Sequence, residues 1–266
     1  MPFTLAHAAA AYPFRRTRLV LSALIFGTFA PDLEFFVRFG PEGHFGHTLR
    51  GLFLLSLPIA FAAFWLFHDV VKEPLAALLP TAVRQRIVPG IYPFSLRRPL
   101  SLVLVLVSLL VGAATHILWD SLTHGGYWPA RHFPWFWERV NFPVIGQLYN
   151  YKILQYTSTV LGLLVVLFWC LHWLRTAPVQ QPPAGSAVPA NQIRAARFLI
   201  PTTVLLGALI RAIVGVGRPR TPRDLQHWLV DFVITVISLT WLELMFWGFA
   251  IPPRPAPDLP PVPSAR

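Results

Sequence analysis

The chain has 266 residues, of which 55% are hydrophobic and 12% charged, roughly half the charged share of a soluble domain. Its 22 basic and 11 acidic residues leave a net charge of +11. The basic residues stand between long apolar runs, as in a membrane protein, so the charge requires no nucleic acid. Cys170 is the only cysteine and sits inside an apolar run, which excludes an internal disulfide and a cysteine-rich zinc site.

The first apolar stretch, 19–30, follows Arg15, Arg16 and Arg18. This pairing resembles a signal peptide, but the stretch runs into Pro31-Asp32-Leu33-Glu34 without a small-residue cleavage site, so it is expected to stay in the chain. At half to two-thirds of the roughly 20 residues that cross a bilayer, it is a marginal span. The clear spans are expected at 52–70, 100–121, 153–174, 198–216 and 228–250. The fold class is therefore all-α, a polytopic membrane helix bundle of about six spans, one of them marginal. Residues 1–251 are expected to form a single integral membrane domain. The segment 177–192 reads as a flexible loop, and 252–266 as a Pro-rich, disordered tail. With six alternating spans, the basic residues favour both termini in the cytoplasm and the 121–151 segment outside.

The chemistry-bearing residues begin with GAATHILWDSLTHGG, at the end of an oily helix. His116, Asp120 and His124 recur every four residues, displaced by only ~40° around a helix axis. Imidazole and carboxylate are the usual ligands of zinc and related divalent ions. The stripe covers ~12 Å, so all three share one ion only if the helix bends or ends near Gly125-Gly126, or if two ions are present. Asp32 and Glu34 point ~200° apart if helical, and then have different jobs. In GHFGHTLR, His47 leads directly into an apolar helix and Gly43 and Gly46 permit an unusual backbone, while His44 also suits an exposed loop. Alternation puts 31–50 and 120–151 on one face, so these pieces converge. His7 joins them only if 19–30 does not fully cross, or if 4–12 folds back into the bundle. Arg211 and Asp231 are expected to pair across adjacent spans, and Glu243 to be protonated or bonded to a polar neighbour. His132 stands in an aromatic belt with Trp128, Trp135 and Trp137; His68, His172 and His227 lie at span ends and need no special role.

The segments MPFTLAHAA, FGTFAPDLEFF, GHTLRG, GAATHILWDSLTHGG and YKILQYTSTVLGLL, in this order, resemble a bacterial family of multi-helix membrane proteins of unknown function, over residues 1–170. More distantly, the arrangement looks like the membrane-bound metal-dependent hydrolases. The resemblance implies a polar signature of His7, Asp32, Glu34, His47, His116, Asp120 and His124, with Gln155 and Ser158 added from QYTS.

The function expected from residues and resemblance together is a membrane-embedded, metal-dependent hydrolase of an amphipathic phosphoester or related ester. Its ligands are expected to be Asp32, His47, His116, Asp120 and His124, its metal zinc, its general base Glu34 and its phosphate-holding residue Arg50. The alternative is a non-enzymatic metal-binding scaffold or carrier. The expected partner is membrane lipid, with no nucleic acid, and the expected location is the bacterial inner membrane.

Overall fold

The computed structural model describes residues 3–91, 99–143, 146–180, 188–215 and 217–251. The expected tail 252–266, and residues 181–187 of the expected loop, lie outside the described residues. Five helices are long and apolar enough to cross a membrane: Leu49–Leu78, Pro99–His132, Asn150–Thr176, Ala190–Gly215 and Asp224–Ala250. They correspond to the five clear spans, and the chain is a multi-pass helical membrane protein. Two compact units form, Met1–Phe64 with Leu96–Thr176, and Trp65–Ser95 with Ala177–Arg266.

The first unit holds every candidate site residue. It opens with a 3-10 helix, Thr4–Phe14, followed by helix α1 at Leu21–Phe29. A one-turn 3-10 segment, Ala30–Asp32, leads to the short α2, Leu33–Arg38, which ends at Phe39 in a left-handed conformation, φ 56°. Helix α3, Leu49–Leu78, has Thr48 as its N-cap, the hydroxyl accepting from Gly51 N–H at 2.9 Å. Pro58 and Pro74 interrupt its ladder. The carbonyls four residues earlier lose their donors, and α3 opens there into two wide turns, Leu52–Ser56 and Phe67–Val71. Beyond α4, Thr81–Ile91, which falls within the second unit, come α5, Pro99–Thr123, and the short α6, Trp128–His132. A hairpin of β1, Arg139–Phe142, and β2, Gly146–Tyr149, pairs Arg139 with Tyr149 and runs into α7, Asn150–Thr176.

Helix α5 is apolar outside and polar inside. Leu102, Val103, Leu106, Leu110 and Leu118 are exposed, whereas Ser108, Gly112, His116, Asp120 and Thr123 are buried. Lipid accepts the outer face, and the inner face needs polar partners. α1 packs along α5 in parallel. Val20 N–H donates to Ser108 Oγ at 2.9 Å, and level with them in turn are Leu24 against Gly112 and Thr28 against His116. A Cβ on Gly112 would collide with the Leu24 carbonyl, and one on Gly27 with the Leu109 carbonyl. This is close backbone approach of the kind small residues permit between membrane helices. The 3-10 helix runs parallel to α7, with Phe3 beside Thr159, Ala6 against Gly162 and Tyr12 edge-on to Trp169. Its buried face is Ala6, His7, Ala8, Ala9 and Ala11. Such small side chains let eleven residues hold a geometry normally limited to short runs. The marginal stretch 19–30 is thus one limb of a hairpin and not one of the five long helices.

In the second unit α8, Ala190–Gly215, packs on α9, Pro222–Ala250. Pro222 occupies the first position of α9, after a reciprocal cap between Thr221 and Asp224. Arg211 NH2 lies 3.4 Å from Asp231 Oδ1, the expected pair. The Thr203 hydroxyl donates to Glu243 Oε1 at 2.7 Å, which supplies the expected polar neighbour.

Gly112→Val should overpack the α1–α5 contact, at a cost of roughly 1–3 kcal/mol or more, and lower the thermal midpoint in detergent. Gly126→Ala should be silent, since nothing lies within 4 Å of its new Cβ. For Arg211 and Asp231, the double change to apolar residues should destabilise less than either single change, measured as a double-mutant cycle.

Candidate metal centre

Four side chains from three separate elements close a ring. His47 Nε2 lies 3.3 Å from Asp32 Oδ1, which lies 3.6 Å from His116 Nε2. His116 Nε2 is 3.4 Å from Asp120 Oδ2, which is 3.7 Å from His47 Nε2. These separations exceed the 2.7–3.2 Å of N–H···O hydrogen bonds. Ligands held about 2.0–2.1 Å from a tetrahedral ion sit roughly 3.3–3.4 Å from one another. Neighbouring members of the ring therefore stand at about the spacing of ligands on one ion, while neither group able to share an ion contains both Asp32 and Asp120.

Burial sharpens the point. Asp32 and His116 are 0% exposed and Asp120 1%. Asp32 Oδ1, His47 Nε2 and His116 Nε2 have no hydrogen-bond partner, a costly state for buried polar atoms. His7, also 0% exposed, stacks on His116 with ring centroids 3.9 Å apart and brings Nε2 to 3.5 Å from Asp120 Oδ1. His7, His116 and Asp120 can share an ion, as can Asp32, His47 and His116.

The surrounding groups orient these atoms. The His116 Nδ1–H donates to the Thr28 carbonyl at 2.7 Å. That bond fixes the tautomer and leaves the Nε2 lone pair facing the ring. The Thr4 hydroxyl donates to Asp32 Oδ2 at 2.7 Å, so Asp32 presents its other oxygen. Thr4 and Thr28 carry no sequence signal of their own, and were missed for that reason.

Asp32 and Glu34 have different partners. Glu34 Oε2 accepts the Gly46 N–H at 2.8 Å, and Oε1 pairs with Arg38 at 2.9 Å. The Gly46 carbonyl accepts from the Ser56 hydroxyl at 3.0 Å. Gly46 is held on both sides, with no room for a Cβ between Pro31, Ser56 and Glu34. This clamp fixes His47, the next residue, against Asp32. Both oxygens of Glu34 are engaged, and through Gly46 it anchors the loop that carries His47.

His124 stands at the rim, outside both groups able to share an ion. Its Nδ1 lies 3.0 Å from the Asp120 carbonyl, and its Nε2 lies 3.2 Å from the Gln155 amide nitrogen. Lys152 donates to Gln155 Oε1 at 2.8 Å. The Ser158 hydroxyl bonds back to the Gln155 carbonyl within α7. His44 and Arg50 are exposed and join neither group. The surface hollow bounded by Arg131, His132, Trp137 and Glu138 belongs to the loop beyond α5, and no ring residue lines it.

The family model for a domain of unknown function, DUF4184, matches residues 1–249, and the chain belongs to that family. The match continues well past residue 170, where the recognisable motifs end. No curated protein and no solved structure matches the chain.

Thr4→Val removes only the hydroxyl that holds Asp32 and should weaken metal affinity about 10–100-fold, read by chelator competition. Glu34→Gln should leave the helices intact but speed proteolysis of the 40–47 loop, since a neutral amide loses the Arg38 pair.

Proposed function

We propose that this protein is a membrane-embedded metal protein that hydrolyses an amphipathic phosphoester or related ester. The observation that carries the reading is the ring itself: buried, unpartnered imidazole and carboxylate atoms at coordination spacing. Asp32, His47 and His116 would hold a divalent ion, or His7, His116 and Asp120 would, with His116 common to both sets. Two imidazoles and a carboxylate suit zinc, and the nearby second carboxylate helps to offset a divalent charge where bare charge is expensive. Bound there, such an ion lowers the pKa of a coordinated water toward ~7 and polarises a phosphoryl or carbonyl oxygen.

The chain's own residues give the site its setting. The bundle excludes bulk water from Asp32, His116 and His7, while His47 remains slightly open, with its side chain 12% exposed. The loop after α5 exposes Trp128, Phe133, Trp135 and Trp137, the residues of a membrane–water interface. Gly125, one residue beyond His124, lies against Trp137. An ion toward that end of the bundle favours a substrate with a polar head and an apolar tail. The bacterial inner membrane is the location this reading carries.

Elemental analysis of detergent-purified protein tests the metal. Wild-type and His172→Ala protein should carry a stoichiometric divalent ion, and His116→Ala and Asp120→Ala should lose most of it. Wild-type protein that holds none, and binds none on addition, would refute the metal reading. Turnover of a long-chain phosphate ester by metal-loaded protein, lost in Asp120→Ala, tests the hydrolase. Full metal with no turnover on phosphate or carboxylic esters would leave the scaffold or carrier in its place.

A further inference from the structure

We propose that the 3-10 helix Thr4–Phe14 and α1 form a re-entrant hairpin that enters and leaves the membrane on the side of the His/Asp ring, and that its Arg15–Arg18 turn rests among the anionic headgroups of the opposite leaflet. The inference rests on the membrane reading of the long helices and is independent of the metal.

Both ends of this hairpin stand at the ring. His7 stacks on His116 near its start, and Asp32 follows α1 directly after the turn Ala30–Asp32. Between them the chain goes down beside α7 and returns beside α5. The descent passes Thr159, Gly162 and then Trp169. The return starts at Ser108 and climbs past Gly112 to His116. Eight residues from His7 to Arg15, at a 3-10 rise of ~2.0 Å, give a depth of ~16 Å. Along α7 this carries the turn to about the level of His172, one helical turn short of Arg175. Arginine side chains reach such a remaining distance by extending toward the interface.

The turn is built for a polar setting. The Thr17 hydroxyl donates to the Phe14 carbonyl at 2.7 Å, and Arg15 donates to the Tyr12 carbonyl while its guanidinium lies 3.8 Å from the Tyr12 ring centroid. Arg15, Arg16, Thr17 and Arg18 are all exposed. Among the described residues no carboxylate pairs with any of the three arginines. Three exposed guanidiniums at the tip of an otherwise apolar hairpin match lipid phosphates, which they bind bidentately. Counting 19–30 as a full crossing puts the N-terminus opposite the ring, whereas the hairpin puts it on the ring's face.

Single cysteines in a Cys170→Ala background test this, using a membrane-impermeant maleimide on sealed vesicles of known orientation. Phe3→Cys and Arg131→Cys should label from one side and Arg16→Cys from the other. Labelling of Phe3→Cys from the Arg16→Cys side, or of Arg16→Cys from the Arg131→Cys side, overturns the hairpin. For the headgroup contact, the thermal midpoint is compared in phosphatidylcholine vesicles with and without phosphatidylglycerol. The anionic lipid should raise the midpoint of wild-type protein, and the combined Arg15→Gln, Arg16→Gln, Arg18→Gln variant should lose that rise. An equal rise in both proteins, or none in wild type, overturns the contact.

Discussion

Two carboxylates buried inside a bundle with an oily exterior set the terms for the rest of the first unit. Asp32 and Asp120 have almost no exposed surface, and an uncompensated charge at such a place costs several kcal/mol. The neighbouring imidazoles, the Thr4 hydroxyl and the rim network of His124, Gln155 and Lys152 are the groups gathered to meet that cost. Asp32 Oδ1, His47 Nε2 and His116 Nε2 make no hydrogen bond among these groups. Stability and chemistry thus make the same demand on these residues.

The glycines connect packing to the site. Gly27 and Gly112 bring the backbones of α1 and α5 into contact, and this closeness is what lets a main-chain carbonyl, that of Thr28, reach the imidazole of His116. A larger residue at either position would push away the group that sets the tautomer. Gly46 acts similarly on the other side, where its backbone is gripped by Glu34 and Ser56 and its neighbour His47 is carried into place. In each case a helix contact and a ligand orientation are one and the same arrangement of atoms.

Most of the fold was legible because lipid-facing helices announce themselves by length and apolarity, and all five long helices follow the apolar runs. The stripe of His116 and Asp120 was legible from helical spacing. His124 shares that spacing but stands one turn further on, where the backbone and Gln155 take up its nitrogens. His7 and Glu34 were harder for opposite reasons. The place of His7 depends on a long 3-10 helix folding back, and an alanine run carries little sign of that geometry. Glu34 belongs to an acidic motif that looks catalytic, and only the folded loop reveals that Gly46 and Arg38 occupy it. The short β-hairpin of β1 and β2 follows an aromatic segment, Trp128 to Trp137, that carries no strand alternation.

The ring and the His7 stacked on it come from positions 7, 32, 47, 116 and 120, and this has a consequence for how the protein is made. Ribosomes add about 5–20 residues per second, so on the order of ten seconds separate the appearance of His7 from that of Asp120. During that interval the early helices must wait in the insertion machinery or the bilayer with Asp32 and two imidazoles unmatched. Arrival of α5 supplies His116 and Asp120, and α7 then packs Gly162 against Ala6 and brings Gln155 to His124. On the proposed metal reading, a cell starved of the ion would meet the shortage as a defect in membrane-protein biogenesis, with the nascent chain exposed to quality-control proteolysis.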